Sequence, residues 1–510
     1  MMQRAGTAPV VGGLSMTAKR VFLTWATALG GCLLPLAAWA AESSAGSGGS
    51  NHGLNLTTAW PGFVALALFA GAYLLVVLEE YTDLRKSKPV ILAAGLIWML
   101  IAAYVHFTGV SAGVEDALTE TLVDFAGLFL FLLVAMTYVN AMTDRNIFEA
   151  LRTWLAARGY SFRQLFWITG FLAFIISPAI DNLTTALVLS AVVLAVGGGN
   201  RRFIALACIN IVVGANAGGA FSPFGDITTL MVWQTDQLGF AEFFRLFIPA
   251  LVNFVVPAAI MHFAVPAGAP EASENTGHVR RGGYAVLIAF AATIATAVVG
   301  HSYFGLPPYL GMMLGMAYLQ LLMYYLMKTA MWKDEALAAY RESDEMTPPD
   351  LVRHEEHGDS AERFNVFGHV AEAEWDTLLF FYGVLLCVGG LAFLGYLSVL
   401  ANVLYLQWGA TWANTAIGVM SAIVDNIPIM AAVIQMKPAM SDGQWLLVTM
   451  TAGVGGSLLS IGSAAGVALM GQARGYYTFM SHLKWSWAVA IGYIASILVH
   501  MLVNAGTFHG

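Results

Sequence analysis

Long uninterrupted apolar stretches organise this chain. Six lie at 59–79, 90–108, 121–142, 164–198, 203–234 and 245–266, and six more at 284–300, 307–327, 375–397, about 400–437, 445–472 and 485–505. Runs of this length read as membrane-spanning helices. In both sets three simple spans precede two long segments interrupted by Gly, Pro and polar residues, and one simple span closes the set. That shared order predicts an internal repeat, 57–266 and 284–505, joined by a loop at 267–283. The second repeat carries a longer polar loop at 328–374.

The N-terminus adds a targeting pattern. Lys19 and Arg20 precede an apolar run, Val21–Ala38, and Ala38-Trp39-Ala40 sets small residues two apart before Ala41-Glu42. Residues 1–41 therefore read as a signal peptide or an extra N-terminal helix, followed by a Ser- and Gly-rich linker at 42–56.

Loop charges give the orientation. If the fourth segment of each half enters and leaves on one side while the fifth crosses, every Lys and Arg after residue 20 except Arg245 and Lys437 falls on the same side. Lys and Arg mark the cytoplasmic side. The first hairpin, 164–198, then opens to the cytoplasm and the second, 400–437, to the outside, so the halves are inverted. Inverted repeats with interrupted helices are a transporter signature, with the binding site at the repeat interface near the bilayer midplane.

Composition supports that class. The 510 residues are 58% hydrophobic and 11% charged, with a mean hydropathy of +0.71, against roughly 45–50% apolar and about 25% charged in a soluble domain. This excludes a soluble enzyme. The expected fold class is an all-α polytopic membrane protein of two inverted-topology repeats, each with a re-entrant helical hairpin and a discontinuous transmembrane helix. The 52 glycines fit close helix packing and broken helices. A net charge of -8 argues against a nucleic-acid partner. Cys32, Cys208 and Cys387 each lie in an apolar run, which leaves no disulfide framework or thiolate metal site.

The interrupted segments carry the chemistry. The first hairpin reads Ser177-Pro178-Ala179-Ile180-Asp181-Asn182-Leu183-Thr184-Thr185 at its middle, and the second Ser421-Ala422-Ile423-Val424-Asp425-Asn426-Ile427-Pro428, with the same Ser-x-x-x-Asp-Asn spacing. Arms of about 22 Å, at 1.5 Å per residue, are too short for a ~30 Å hydrocarbon core, so each motif is expected at a hairpin tip in mid-membrane. The broken helix 203–234 contains Asn216-Ala217-Gly218-Gly219, then Gly225-Asp226-Ile227-Thr228-Thr229. Its counterpart 445–472 contains Gly455-Gly456-Ser457, then Ser460-Ile461-Gly462-Ser463. Freed carbonyls, hydroxyls, amide oxygens and a carboxylate are the hard ligands that alkali cations prefer. A carboxylate at a helix centre costs about 2.5–3.5 kcal/mol on insertion scales, so Asp181, Asp425 and Asp226 need a reason. Helix capping is the plain alternative, with most weight for Asp226, which follows Gly225.

Ser-Pro-x-x-Asp-Asn-x-Thr-Thr followed by Gly-Gly-x-x-Ser-Pro-x-Gly-Asp-x-Thr-Thr resembles the motifs of the NhaD-type sodium/proton antiporters, in the wider ion-transporter superfamily that includes arsenite and dicarboxylate carriers. The resemblance covers nearly all of 57–505. It implies cation sites where hairpin tips meet unwound helices, with Na⁺ or Li⁺ and H⁺ competing for Asp181 and Asp425, assisted by Ser177, Asn182, Ser421 and Asn426. Asn216, Asp226, Thr228, Thr229, Ser460 and Ser463 complete the candidate set. No cofactor is expected. The expected partners are Na⁺ or Li⁺, the proton, the bilayer of the cell inner membrane and a second copy of the chain in a homodimer. An anion carrier of the same fold is the alternative, disfavoured by carboxylates where dicarboxylate carriers have Ser-Asn-Thr. An intramembrane aspartyl protease would explain two carboxylates and not their repetition on inverted hairpins.

Other polar residues carry less. His354-Glu355-Glu356-His357 lacks zinc-protease spacing and reads as a solvated loop, with cytoplasmic pH sensing as a lesser expectation. Asp124, in the third span, is a candidate proton relay or a surface residue. Glu79 and Glu80 read as interfacial.

Overall fold

A computed structural model describes residues 54–508 apart from 55, 78, 83, 111–112, 270–277 and 344–365. The expected N-terminal segment 1–41, Cys32 and the His354–His357 cluster lie outside the described residues.

Among the described residues the chain is helical throughout. The first half holds α1 (Trp60–Val77), α2 (Glu79–Thr82), α3 (Ser87–Thr108), α4 (Val114–Asp144), α5 (Ile147–Ala157), α6 (Phe162–Ile180), α7 (Asn182–Val196), α8 (Arg201–Gly219), α9 (Ile227–Gln234) and α10 (Phe247–His262). The second holds α11 (Gly283–Phe304), α12 (Pro308–Ser343), α13 (Val366–Ala371), α14 (Trp375–Phe393), α15 (Tyr396–Ala401), α16 (Ala410–Met420), α17 (Asn426–Met436), α18 (Asp442–Gly455), α19 (Ala464–Gln472), α20 (Phe479–Leu483) and α21 (Ser486–Val503). Nine helices among the described residues are long and apolar enough to cross a membrane.

Local chemistry sets the ends. Ser161 opens α6 with a capping box, its hydroxyl accepting from the Gln164 backbone N–H while the Gln164 side chain accepts from the Ser161 backbone N–H. Asn200 caps α8 by accepting from the Phe203 backbone N–H at 3.1 Å. Gly109 ends α3 at φ 67°, a left-handed setting that suits glycine.

Three differences from the sequence reading have physical causes. Helix α5 was not expected; it is 11 residues long and amphipathic, too short and too mixed to register as an apolar run. Helix α12 runs on to Ser343, into the expected loop at 328–374, because Lys333-Asp334-Glu335-Ala336-Leu337-Ala338-Ala339 is rich in strong helix formers. The arms of the first hairpin are unequal, 19 residues in α6 and 15 in α7, so α6 alone is long enough to cross.

Equivalent elements make equivalent contacts. Helix α1 packs on α3 as α11 packs on α12, α14 meets α3 as α4 meets α12, and α6 lies along α8 as α16 lies along α18. The last helices, α10 and α21, pack on each other. At the centre stand α8 and α18, buried along nearly their whole length. Small residues let the hairpins approach them: a Cβ on Gly218 would lie 2.3 Å from the Phe174 carbonyl oxygen, and one on Gly455 would lie 2.0 Å from that of Gly418.

Several contacts join chain segments that the charge count assigns to the same side. His301 Nε2 lies 3.1 Å from the Asp236 carboxylate, and Lys437 Nζ lies 3.6 Å from that of Glu120. On the opposite side the Arg280 backbone N–H donates to the Arg145 carbonyl at 2.9 Å, and Arg145 pairs with Asp144.

Candidate functional site

Each hairpin turns at its Asp-Asn pair. Pro178 has no N–H to offer the Phe174 carbonyl, and α6 stops two residues later at Ile180. Asp181 then reverses the chain at φ 88°, a setting rarely taken by residues with a side chain and concentrated at functional sites. Its carboxylate caps α7, accepting from the Thr184 N–H and hydroxyl, both at 2.8 Å.

The second tip has the same spacing and different bonding. The residue three after Asp425 is Pro428, which has no N–H to cap, whereas the residue three after Asp181 is Thr184. Asp425 makes no capping bond, and its Oδ1 is shielded from solvent without a hydrogen-bond partner among the described residues.

The tip serines tie the hairpins to the broken helices. Ser177 Oγ donates to the Ala215 carbonyl and Ser421 Oγ to the Ala452 carbonyl, each at 2.7 Å. Ser222 Oγ donates to the Pro178 carbonyl at 2.8 Å, and Thr229 Oγ1 to the carbonyls of Ser222 and Asp226 at 2.8 and 2.6 Å. These hydroxyls brace the unwound stretch between α8 and α9.

At the junction both tips reach one carboxylate. Asn182 Nδ2 donates to Asp226 Oδ2 at 3.0 Å, and Asn426 Nδ2 donates to the same oxygen at 3.0 Å. Asn182 also donates to Asn216 Oδ1 at 3.1 Å, while Asn216 Nδ2 donates to Ser457 Oγ at 2.8 Å and Ser463 Oγ at 3.0 Å. Asp226 is buried, 4% exposed, and caps α9 by accepting from the Thr228 N–H at 3.2 Å. Thr228 Oγ1 is buried with no partner among the described residues. A cavity of about 80 Å³ lies against this junction, lined by Asp181, Asn182, Asp226 and Asn426, with Lys86 and Glu374 among its other walls.

The sequence-predicted set thus divides. Asn182, Asn216, Asp226, Asn426 and Ser463 join one network with Thr228 beside it. Asp181 faces the same cavity, and Asp425 is close enough to Asp226 for their charges to interact. Ser177, Ser421 and Thr229 give their protons to backbone carbonyls, and Ser460 Oγ lies 3.2 Å from Met470 Sδ. Ser457 and Lys86 were missed. Ser457 follows the Gly455-Gly456 pair, yet its partner Asn216 is 241 positions away, a pairing that no local spacing reveals. Carboxylate, amide and hydroxyl oxygens in a buried polar node suit a hard monovalent cation, and the carboxylate equally suits a proton.

Known proteins resemble the chain over most of its length. A family model described as a citrate transporter matches residues 73–333 and 366–453. The Na⁺/H⁺ antiporter NhaD of Vibrio cholerae is 53% identical over 458 residues, covering 89% of this chain and 94% of that protein. The protein of the same name from Alkalimonas amylolytica is 54% identical over 459 residues, covering 89% and 93%. Sodium/proton antiporter 1 of Arabidopsis thaliana is 30% identical over 455 residues, covering 86% and 72%.

Proposed function

The chain belongs to the NhaD-type Na⁺/H⁺ antiporters and to the wider family that the citrate-transporter model describes, and from that premise we propose that it exchanges cytoplasmic Na⁺ or Li⁺ for external H⁺ across the cell inner membrane. In the cell this exchange would serve pH homeostasis and salt tolerance. The observation that carries the mechanism is the shared partner of the two tips: Asn182 and Asn426 both bond to Asp226.

In this arrangement the amides donate N–H groups to a carboxylate. A cation at Asp226 repels those groups and attracts the amide oxygens, so rotation of each amide presents Oδ1 in place of Nδ2. Asn216 Oδ1 and Thr228 Oγ1 extend the oxygen shell. A proton on Asp226 instead removes the charge that holds the cation. Only one of the two occupies the carboxylate at a time, and that exclusion couples their movements.

Asp425 and Asp181 flank the site. The unpaired Oδ1 of Asp425 offers a second exchangeable position near Asp226, and Asp181 adds negative charge on the cavity side. The inverted hairpins provide alternating access, one opening to each side. An anion carrier is disfavoured by these three carboxylates.

The test is cation-dependent dequenching of a ΔpH dye in everted vesicles, scanned over Na⁺, Li⁺, K⁺ and pH. Dequenching by Na⁺ and Li⁺ that disappears in Asp226→Asn, with the protein still inserted, supports the proposal. Dequenching that survives in Asp226→Asn with normal pH dependence would sink it.

A further inference from the structure

We infer that His482 and Tyr477 are positioning residues for the cation site: through the Ser457 carbonyl they fix the second unwound stretch, 456–463, against which Asn216 is held. The inference rests on the ion-site reading above and adds two residues outside the hairpin and broken-helix motifs.

The unwound stretches need anchors, because backbone groups freed from helical bonding must find other partners when buried. In the first repeat those anchors are Ser222 and Thr229, whose hydroxyls bind carbonyls of Pro178, Ser222 and Asp226. The second repeat lacks both. Aligning the glycines Gly218, Gly219 and Gly225 with Gly455, Gly456 and Gly462 sets Leu459 opposite Ser222 and Gly466 opposite Thr229. Neither residue has a hydroxyl.

A histidine fills that role from a different element. His482, on α20, is fully buried, and its Nε2 lies 2.8 Å from the Ser457 carbonyl oxygen. A carbonyl only accepts, so Nε2 carries the hydrogen and Nδ1 holds the lone pair. Nδ1 meets the Tyr477 hydroxyl at 2.7 Å, and that hydroxyl is therefore the donor. Tyr477 is itself buried, 1% exposed, and also lies against Ser460. Burial pushes His482 down to about 4, which keeps the ring neutral, while the Ser457 carbonyl fixes the tautomer.

The chain of bonds continues to the ion site. Ser457, held at its carbonyl by His482, accepts at Oγ from Asn216, and Asn216 accepts from Asn182, which donates to Asp226. A shift of Ser457 would therefore move Asn216 without removing a cation ligand. His482 acts on cation affinity at a distance and exchanges no proton itself.

The experiment compares His482→Ala, His482→Gln, Tyr477→Phe and Asn182→Ala in everted vesicles at matched protein amounts, reading apparent KM for Na⁺ against maximal exchange rate. His482→Ala should raise KM roughly three- to tenfold, the worth of one buried hydrogen bond, with the maximal rate kept within about twofold. His482→Gln, whose amide N–H can reach the carbonyl, should restore most of the affinity, and Tyr477→Phe should shift KM the same way by less. An unchanged KM in His482→Ala overturns the inference, as does His482→Gln behaving like His482→Ala. If His482→Ala does not insert, Tyr477→Phe decides: a raised KM supports the role and an unchanged one overturns it. Asn182→Ala separates the levels, since a raised KM there with none in His482→Ala fails only this inference, whereas no change in Asn182→Ala fails the site reading beneath it.

Discussion

Removing the tip amides one at a time and together tests whether Asp226 is the point where the two gates meet. Asn182→Ala deletes a donor 3.0 Å from Asp226 Oδ2, and Asn426→Ala deletes another at the same distance from the same atom. Hydrogen bonds to a charged group contribute about 1.5–3 kcal/mol, and cation–amide contacts at the same position are taken as similar. At 1.4 kcal/mol per factor of ten, each single variant should raise the apparent KM for Na⁺ by roughly ten- to a hundredfold. Because both amides serve one carboxylate, their effects should not be independent. Contacting residues couple by about 0.5–3 kcal/mol, whereas separate sites add to within about 0.3–0.5 kcal/mol. The assay is dye dequenching in everted vesicles with Na⁺ titrated at fixed pH for the parent, both singles and the double variant. Additive effects would refute convergence on one site, and an unchanged KM in both singles would put the cation elsewhere.

Further expectations follow from single contacts. Asp181→Asn keeps the α7 cap, since an asparagine oxygen can accept from Thr184, so loss of exchange there with normal folding reports the missing charge; full exchange would reduce Asp181 to a cap. Below the pKa of the exchanging carboxylate, apparent Na⁺ affinity should fall up to about tenfold per pH unit for each proton displaced, and a pH-independent KM would contradict competition. A Cβ on Gly453 would lie 3.6 Å from Asp226 Oδ2 and 3.9 Å from Thr228 Oγ1, an ordinary contact, so Gly453→Ala should fold, crowd the carboxylate and raise KM for Na⁺ more than for the smaller Li⁺; equal shifts would remove Gly453 from the site. Cysteines replacing the exposed Gln237 and Tyr303 should react with an impermeant reagent from outside and one replacing Arg202 should not, the reverse pattern being fatal to the inverted topology. Burial holds His369 on α13 below the ordinary imidazole range despite Asp144 and Glu372 nearby, with Arg145 acting in the same direction as burial. Its folded pKa is the lower one, so its contribution to docking is complete above about pH 6.5 and fades as pH falls; protection factors over 366–371, referenced to the intrinsic exchange rate at each pH, should fall at pH 5.5, and unchanged protection would exclude this.

Much of the architecture was legible because lipid permits few solutions. A segment that crosses must be apolar over its whole length, and each of the twelve apolar stretches falls on one or more helices, the largest overrun being α12, which continues past 327 to Ser343. Helix α5 follows a different rule, with Ile147, Leu151 and Leu155 one turn apart on one face, which a search for continuous runs passes over. The difference between the tips was present in the sequence as Thr184 against Pro428, since only one of these residues can donate a backbone N–H to the preceding carboxylate. The convergence on Asp226 was not legible. Asn426 and Asp226 are 200 positions apart, and nothing in either motif says which carboxylate receives the amide. Symmetry of the sequence favoured the paired aspartates, Asp181 and Asp425, and left the capping alternative stronger for Asp226 than for them. In the structure Asp226 caps α9 and receives both tips at once, so a cap and a ligand are not exclusive roles.

The broken helices carry equal scaffolding and unequal chemistry. Aligning their glycines pairs Asn216 with Gly453 and Asp226 with Ser463, so the amide and the carboxylate come from one repeat while the other supplies a hydroxyl and open space. Two full copies would bring two carboxylates together at the junction, and like charges so close cannot both stay ionised. With one copy, Asn216 crosses to Ser457 and Ser463, and the two broken helices contribute a single carboxylate to the junction. On the proposed topology Asn182 belongs to the hairpin that opens inward and Asn426 to the one that opens outward. A carboxylate bound by both can be reached from either side by withdrawal of one amide while the other keeps its bond. On that proposal the site need not move far for access to alternate, and the two hairpins would act as gates around the one carboxylate that the broken helices supply.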